Sequence, residues 1–178
     1  MTEAELIARA VVSDDHAAFG ELVRRHQSAV RHFLRHLTGG DTALADDLAQ
    51  ETFLQAWRSL ARFSGQSSFA TWALGIAHNQ WRNARRKQRT VPVEPEHLAA
   101  LDPVPSPAPL SDLRHDLDHA LRTLAAEEQT ALHLSYQQGL SHSEIADVLQ
   151  WPVGTVKTHL NRGKEKLRPL LESWNPTT

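Results

Sequence analysis

The stretch SHSEIADVLQWPVGTVKTHLNRGKEKLR, Ser141 to Arg168, decides how this chain is read. Ser141 with Glu144 three residues later has the form of a capping box, in which side chains and backbone amides at a helix start satisfy each other. Ile145, Val148 and Leu149 supply a short apolar stripe, and Gln150-Trp151-Pro152 interrupts it. Beyond the proline, Val153, Val156, Leu160, Gly163 and Leu167 fall on one arc of a second helix. That arc is expected to pack on Ile145, Val148 and Leu149. The opposite arc carries Gly154, Thr155, Lys157, Thr158, Asn161 and Arg162. Two helices of these proportions, joined by a tight turn, predict a helix-turn-helix. Small hydroxyls, an amide and long cations near a helix N-terminus suit base edges in a major groove. The amides at that terminus also favour phosphate. Lys164, Lys166 and Arg168 are placed for the DNA backbone rather than for bases.

From Trp151 to Arg168 five cations face one acid, Glu165, yet the formal charge of all 178 residues is −2. Charge is therefore segregated. Between Ala61 and Thr90 stand Arg62, Arg82, Arg85, Arg86, Lys87 and Arg89 with no acid. From 91 to 120, Glu94, Glu96, Asp102, Asp112, Asp116 and Asp118 oppose Arg114 alone. Two basic stations are separated by an acidic stretch, and local patches speak to partners where net charge speaks to solubility.

The length allows one medium domain or two small ones, at ~100–200 residues each. There is no cysteine, which excludes disulfides, thiolate metal sites and Cys nucleophiles. No apolar run approaches the ~18 residues of a membrane span, and MTEAELIARA lacks a signal-peptide pattern. A soluble, intracellular protein is expected.

SDDHAAFGELVRRHQSAVRHFLRHLTGG repeats Phe19, Leu22, Val23, His26, Val30, Phe33, Leu34 and Leu37 at helical spacing, with Ser13 and two aspartates as start signals and Gly39-Gly40 as a stop. DTALADDLAQETFLQAWRSLARF places Ala45, Leu48, Ala49, Thr52, Phe53, Ala56 and Leu60 on one arc. Asp47, Gln50, Glu51, Leu54 and Arg58 fall on the other. FSGQSS is a turn-rich break. SFATWALGIAHNQWRNARRKQR is a third helix, with Trp72, Ile76 and Ala77 marking its buried side. TVPVEPEHLAALDPVPSPAPL holds six of the nine prolines; it cannot form a packed core and is expected to be an extended acidic linker. Beyond it SDLRHDLDHALRTL and AAEEQTALHLSYQQGL are helical, Gly139 ending the latter. No segment alternates as a strand would. The expected fold is all-α, two small helical domains joined by a proline-rich linker: residues 1–90, 91–110 and 111–178.

DDLAQETFLQAW followed by RFSGQSSFATWALGIAHNQWRNARRKQR resembles the σ2 domain of an extracytoplasmic-function (ECF) sigma factor of the sigma-70 family. GLSHSEIADVLQWPVGTVKTHLNRGKEKLR resembles the σ4 domain of the same group. The resemblance covers roughly 15–90 and 113–171, in the right order, and no σ3 domain intervenes. It implies an alternative sigma factor that binds core RNA polymerase, through the β′ clamp helices and the β flap, and directs promoter-specific initiation. By resemblance, Asp47, Gln50, Glu51 and Leu54 match the helix that docks on the clamp helices. Phe63, Ser64 and Gln66 in the loop, with Asn79, Arg82, Arg85 and Arg86, match the part that melts the −10 element and captures an unstacked base. Single-stranded DNA needs cations along its backbone and stacking planes for bases, and Phe63, Phe69, Trp72 and Trp81 are the aromatic candidates, Trp72 being placed in the core. Thr155, Lys157, Thr158, Asn161, Arg162 and Lys164 would read the −35 element. The resemblance further implies an anti-sigma factor, membrane-anchored, and a cytoplasmic bacterial protein held at the inner membrane by it.

Two departures from the family stand out. Asn83 replaces a frequent Asp four residues after Asn79, and Gln150-Trp151 replaces a frequent Gly at the turn. About 20 linker residues at ~3.1–3.5 Å each span up to ~60–70 Å, enough with the domain widths to reach DNA sites two turns apart. In the family this segment follows the RNA path, so its acids would mimic nascent RNA.

TVKTHL also resembles the output domain of LuxR-type activators. Those follow a domain with strands, and DDLAQETFLQAW has no role there. His115 and His119 lie at i, i+4 beside Asp116 and Asp118, and His32 and His36 repeat the spacing. HDLDH lacks the glutamate of an HExxH helix, and the other histidines are scattered. No metal, no cofactor and no nucleophile–base–acid set is expected, hence no catalysis of its own.

Overall fold

A computed structural model describes residues 1–90, 120–121 and 123–173. The proline-rich stretch, and most of the helix expected at 111–124 with His115 and His119, lie outside the described residues. Every regular element among the described residues is helical. The chain divides into two compact units: Met1–Glu96 with Asp147–Gln150, and His97–Ala146 with Trp151–Thr178. No described helix is long and apolar enough to cross a membrane.

The first unit is built on four helices. Helix α1, Glu3–Val12, was not expected from apolar spacing. It starts on a capping box: Thr2 Oγ1 accepts from the Glu5 N–H at 3.2 Å, and Glu5 Oε2 accepts from the Thr2 N–H at 2.8 Å. It buries Leu6 and Ala10. Helix α2, His16–Leu37, begins at Asp15, whose Oδ1 accepts from the Ala17 and Ala18 amides at 3.0 Å. Those amides, the Ala18 bond foremost, and the Arg9 guanidinium at 2.6 Å hold the Asp15 carboxyl below its usual range. The helix ends at Gly39 (φ +66°), as the Gly-Gly stop predicts; the Gly40 N–H returns to the Arg35 carbonyl at 2.8 Å. Helix α3, Thr42–Ser59, is capped by Asp41 and runs into a single 3-10 turn at Leu60–Arg62. Helix α4 spans Phe69–Thr90; Ser68 Oγ accepts from the Thr71 N–H at 3.0 Å at its start.

The core of this unit holds Leu6, Leu22, Val30, Phe33, Leu34, Ala45, Ala49, Ala56, Phe69 and Leu74. Each large apolar side chain buried here contributes roughly 1.5–3 kcal/mol by leaving water. The inner arc of α3 is as expected, except that Phe53 is half-buried. The inner face of α4 is not. Phe69, Ala73, Leu74, Ala77 and His78 are buried, while Trp72 and Ile76 sit half-buried at its flanks. Small side chains let α4 approach α2 and α3 closely, and the bulky ones are left at the margins of the contact.

In the second unit, helix α5, Ala126–Leu132, passes into a wide π turn at His133–Gln137 and ends at Gly139 (φ +68°). The π turn was not expected. Helix α6, His142–Leu149, carries the predicted capping box: the Glu144 N–H donates to Ser141 Oγ at 3.3 Å, and the Ser141 N–H to Glu144 Oε2 at 2.9 Å. Helix α7, Val153–Ser173, follows the turn.

The inner arc of α7 packs along α5 rather than mainly on α6. Gly163 makes the approach possible: a Cβ there would lie 2.8 Å from Leu132 Cδ1 and 3.6 Å from Glu128 Cβ. Val156, Leu160, Gly163 and Leu167 are buried as expected, but Val153 is 40% exposed. Glu128, only 4% exposed, closes the same seam. Its two oxygens accept from Lys166 Nζ at 2.9 and 2.8 Å, and Oε2 also accepts from the Ala125 N–H. The Lys166 bond is the chief reason the Glu128 carboxyl lies below its usual range.

Candidate polymerase and nucleic-acid interfaces

On α3, Asp47, Gln50, Glu51 and Leu54 are all exposed along one side, Leu54 by 48%. Sequence periodicity placed them there correctly. It missed what lies beside them. An open, mostly apolar groove of about 550 Å³ runs between α2 and α3. Phe19 and Val23 come from α2, and Phe53, Leu54 and Trp57 from α3. The Trp57 ring is set by His16 at 4.7 Å and Phe19 at 5.0 Å. Arg31 and Asp46, 3.4 Å apart, join the two helices. The acidic and amide groups of α3 thus border an apolar trough, with an exposed leucine at its lip.

The loop between the 3-10 turn and α4 exposes Ser64 and Gln66, with Gly65 at φ +70° supplying the bend. Phe63 is less available than a stacking plane should be. It is half-buried, its ring 5.1 Å from Trp72 and 6.3 Å from Phe69. Phe69 is wholly buried and is not a base-stacking surface.

Along α4, Asn79, Arg82, Asn83 and Arg86 are exposed and fall on one side by helical spacing. Arg85 leaves this stripe: its guanidinium lies 5.0 Å over the Trp81 ring, whose other neighbour is the His78 imidazole at 5.7 Å. Trp81 is therefore occupied on this flank. His78 is buried, and burial, with the nearby Arg82 charge, pushes its pKa down to about 4.

On α7, Lys157, Thr158, Asn161, Arg162 and Lys164 are exposed, and Thr155 is half-buried. The Thr158 hydroxyl donates back to the Gly154 carbonyl at 2.9 Å, leaving its oxygen lone pairs and methyl outward. The Pro152 carbonyl takes the first amides, from Thr155 at 2.9 Å and Val156 at 3.2 Å. Lys164 Nζ sits 5.5 Å over the ring of Tyr136, an aromatic side chain 66% exposed on the π turn. Lys166 was expected to meet phosphate; its ion pair with Glu128 commits it to the fold instead.

The turn keeps its geometry without glycine. Gln150 adopts φ +57°, and the Trp151 N–H donates to the Ala146 carbonyl at 3.1 Å, the long bond of a Schellman motif. The Trp151 ring lies 5.1 Å from His159.

A helical unit with an acidic docking face, followed by a helix-turn-helix with a cationic outer arc, defines a DNA-binding transcription protein. Residues 22–91 match Sigma-70 region 2 and residues 114–167 match Sigma-70, region 4. The chain belongs to the sigma-70 family of RNA polymerase sigma factors, in its extracytoplasmic-function group. It is 31% identical to an ECF RNA polymerase sigma-E factor of Haemophilus influenzae, over 96% of this chain and 98% of that one. Among solved structures it resembles CnrH in complex with the cytosolic domain of CnrY: TM-score 0.68, 27% identity, 96% of this chain and 97% of that one. It also resembles the sigma factor RpoE in complex with the anti-sigma factor NepR from Bartonella quintana: TM-score 0.66, 26% identity, 86% and 96% covered. A region 2 match leaves no receiver or ligand-binding domain before the helix-turn-helix, so the LuxR-type reading falls.

Proposed function

We propose a division of labour within this alternative sigma factor, with a first domain at 1–90, a linker at 91–110 and a second domain at 111–178. Asp47, Gln50, Glu51 and Leu54 dock on the β′ clamp helices, the groove beside them receiving apolar side chains. Ser64, Gln66, Asn79, Arg82 and Arg86 handle the opened −10 strand. Phe63 and Arg85 support them through the aromatic contacts described. Thr155, Lys157, Thr158, Asn161, Arg162 and Lys164 read the −35 duplex, while the second domain meets the β flap. The observation that carries this reading is the segregation of exposed charge: acids and amides on the outer side of α3, cations on the outer sides of α4 and α7. A dry groove bordered by acids suits a protein surface, and cationic stripes suit phosphate.

Two structural relatives are complexes with CnrY and with an anti-sigma factor. They support a partner of that kind here, anchored in the inner membrane and holding this cytoplasmic protein inactive. The protein lends specificity to a polymerase and performs no chemistry of its own.

Run-off transcription from genomic fragments with core polymerase tests the reading. It fails if this chain starts no transcript in place of the housekeeping sigma. Arg162→Ala should weaken −35 binding about tenfold, the worth of one good base contact. Asp47→Ala should weaken core binding and spare −35 contact. Two variants that both lost only DNA affinity would refute the division.

A further inference from the structure

The Glu3 carboxylate reaches across the first unit to the start of α4. Its Oε1 accepts the Phe69 N–H at 3.2 Å, and its Oε2 lies 2.9 Å from His26 Nε2 on α2. One side chain of α1 therefore ties three helices together. The local cap, Ser68, serves the Thr71 amide and leaves the Phe69 amide at the mouth of the helix. A carboxylate there meets an orphan donor and the positive end of the helix dipole.

Glu3 is itself held. The Thr2–Glu5 capping box fixes the first turn of α1, and Arg25 Nη2 donates to the Met1 carbonyl at 3.3 Å. The His26 ring lies 5.2 Å from the ring of the wholly buried Phe69.

The consequence lies one residue upstream of Phe69. The loop carrying Ser64 and Gln66 hangs between two anchors, Phe63 and Phe69, whose ring centroids are 6.3 Å apart. Only residues 64–68 lie between them, so a shift of Phe69 moves the whole loop. We infer that Glu3 is a positioning residue for −10 recognition: it clasps the start of α4 and so sets the loop that receives the opened strand. This rests on the −10 assignment above. Through the bond to the Phe69 amide, α1 has a direct polar hold on the end of that loop.

The test uses holoenzyme assembled from core polymerase and the full chain, on a promoter mapped by run-off. Two affinities are measured: holoenzyme for a single-stranded oligonucleotide carrying the non-template −10 strand, and the chain for core. Hydrogen exchange across 63–71 is followed in parallel. Glu3→Ala should weaken oligonucleotide binding about tenfold, the scale of one charge-assisted hydrogen bond, leave core affinity unchanged and speed exchange in the loop. Glu3→Gln, whose amide oxygen still accepts from Phe69, should recover most of the binding. Glu3→Asp keeps the charge but falls short of the amide, so it should show a smaller loss and carries the test if Glu3→Ala does not fold. Unchanged oligonucleotide binding in Glu3→Asp and Glu3→Ala, or an equal loss of core affinity, would overturn the clasp. Wild-type holoenzyme that binds no −10 strand would sink the −10 assignment, and the inference with it.

Discussion

Gln150 sits in the left-handed region at φ +57°, where a Cβ crowds the backbone and glycine is at ease. Its side chain repays part of the strain: Nε2 donates to the Asp147 carbonyl at 2.6 Å, one of the acceptors a helix end leaves open. Gln150→Gly removes the strain, loses that bond and loosens the unfolded chain. The balance should raise stability by roughly 0.5 kcal/mol, while Gln150→Val, strained and β-branched, should lower it by about 1–2 kcal/mol. Thermal melts of the two variants decide the sign; a lower midpoint for Gln150→Gly would mean that the side-chain bond outweighs the strain. The departure from the family's glycine was visible in the sequence. That the turn survives it was not, because the compensating bond depends on where the side chain folds back.

Among the helices, what could be read was set by which signals are local. The starts of α2, α3 and α6 were legible from Asp15, Asp41 and Ser141, whose caps act within three residues. Helix α1 offered Thr2 and Glu5 in the same form. It escaped notice because its buried set is only Leu6 and Ala10, with Val11 and Val12 exposed beside them. With α1 went Glu3, whose partners lie 23 and 66 residues away. The outer face of α3 was legible because polar side chains at helical spacing declare it. The groove was not, since its walls belong to two helices.

The partner of α7 was misjudged for a similar reason: sequence adjacency favoured α6, while the close contact is with α5 through Gly163. That contact is testable. Gly163→Val puts branched carbon into space already filled by Leu132 and Glu128 and should cost about 1–3 kcal/mol. Denaturant unfolding checks it, and an unchanged midpoint would mean the seam is looser than the distances say.

For the molecule as a whole, the folded state resists protonation where the unfolded chain accepts it. Burial pushes His78 from an ordinary 6.5 down to about 4, and burial lowers His36 as well. Between those values the unfolded chain binds protons that the native state refuses. Stability is therefore full above about pH 6.5 and falls as pH drops toward 4. The Glu128 carboxyl has the acidic counterpart: its contribution is present above the usual carboxylate range and disappears below it. Melting temperatures at pH 7.5, 6 and 5 should decline, and His78→Gln should flatten the decline. An equal slope in that variant would assign it elsewhere. The segregated charges act at this scale too. Acids on α3 and in the linker oppose casual attachment to DNA, so that promoter choice rests with the assembled polymerase.

The π turn at His133–Gln137 holds one residue more per turn than the α-helix it continues. Such a turn is the scar an inserted residue leaves when a helix absorbs it instead of breaking. Deleting one residue there, Ser135 for example, would let α5 close as an ordinary helix. Everything after it in the second unit would then swing by about 100° around the α5 axis. Substitutions along α5 can drift so long as the seam with α7 is kept, but its length cannot. In comparing relatives, a one-residue gap in this segment is a change of aim for the DNA-reading head, where a gap of the same size in the proline-rich stretch is only slack.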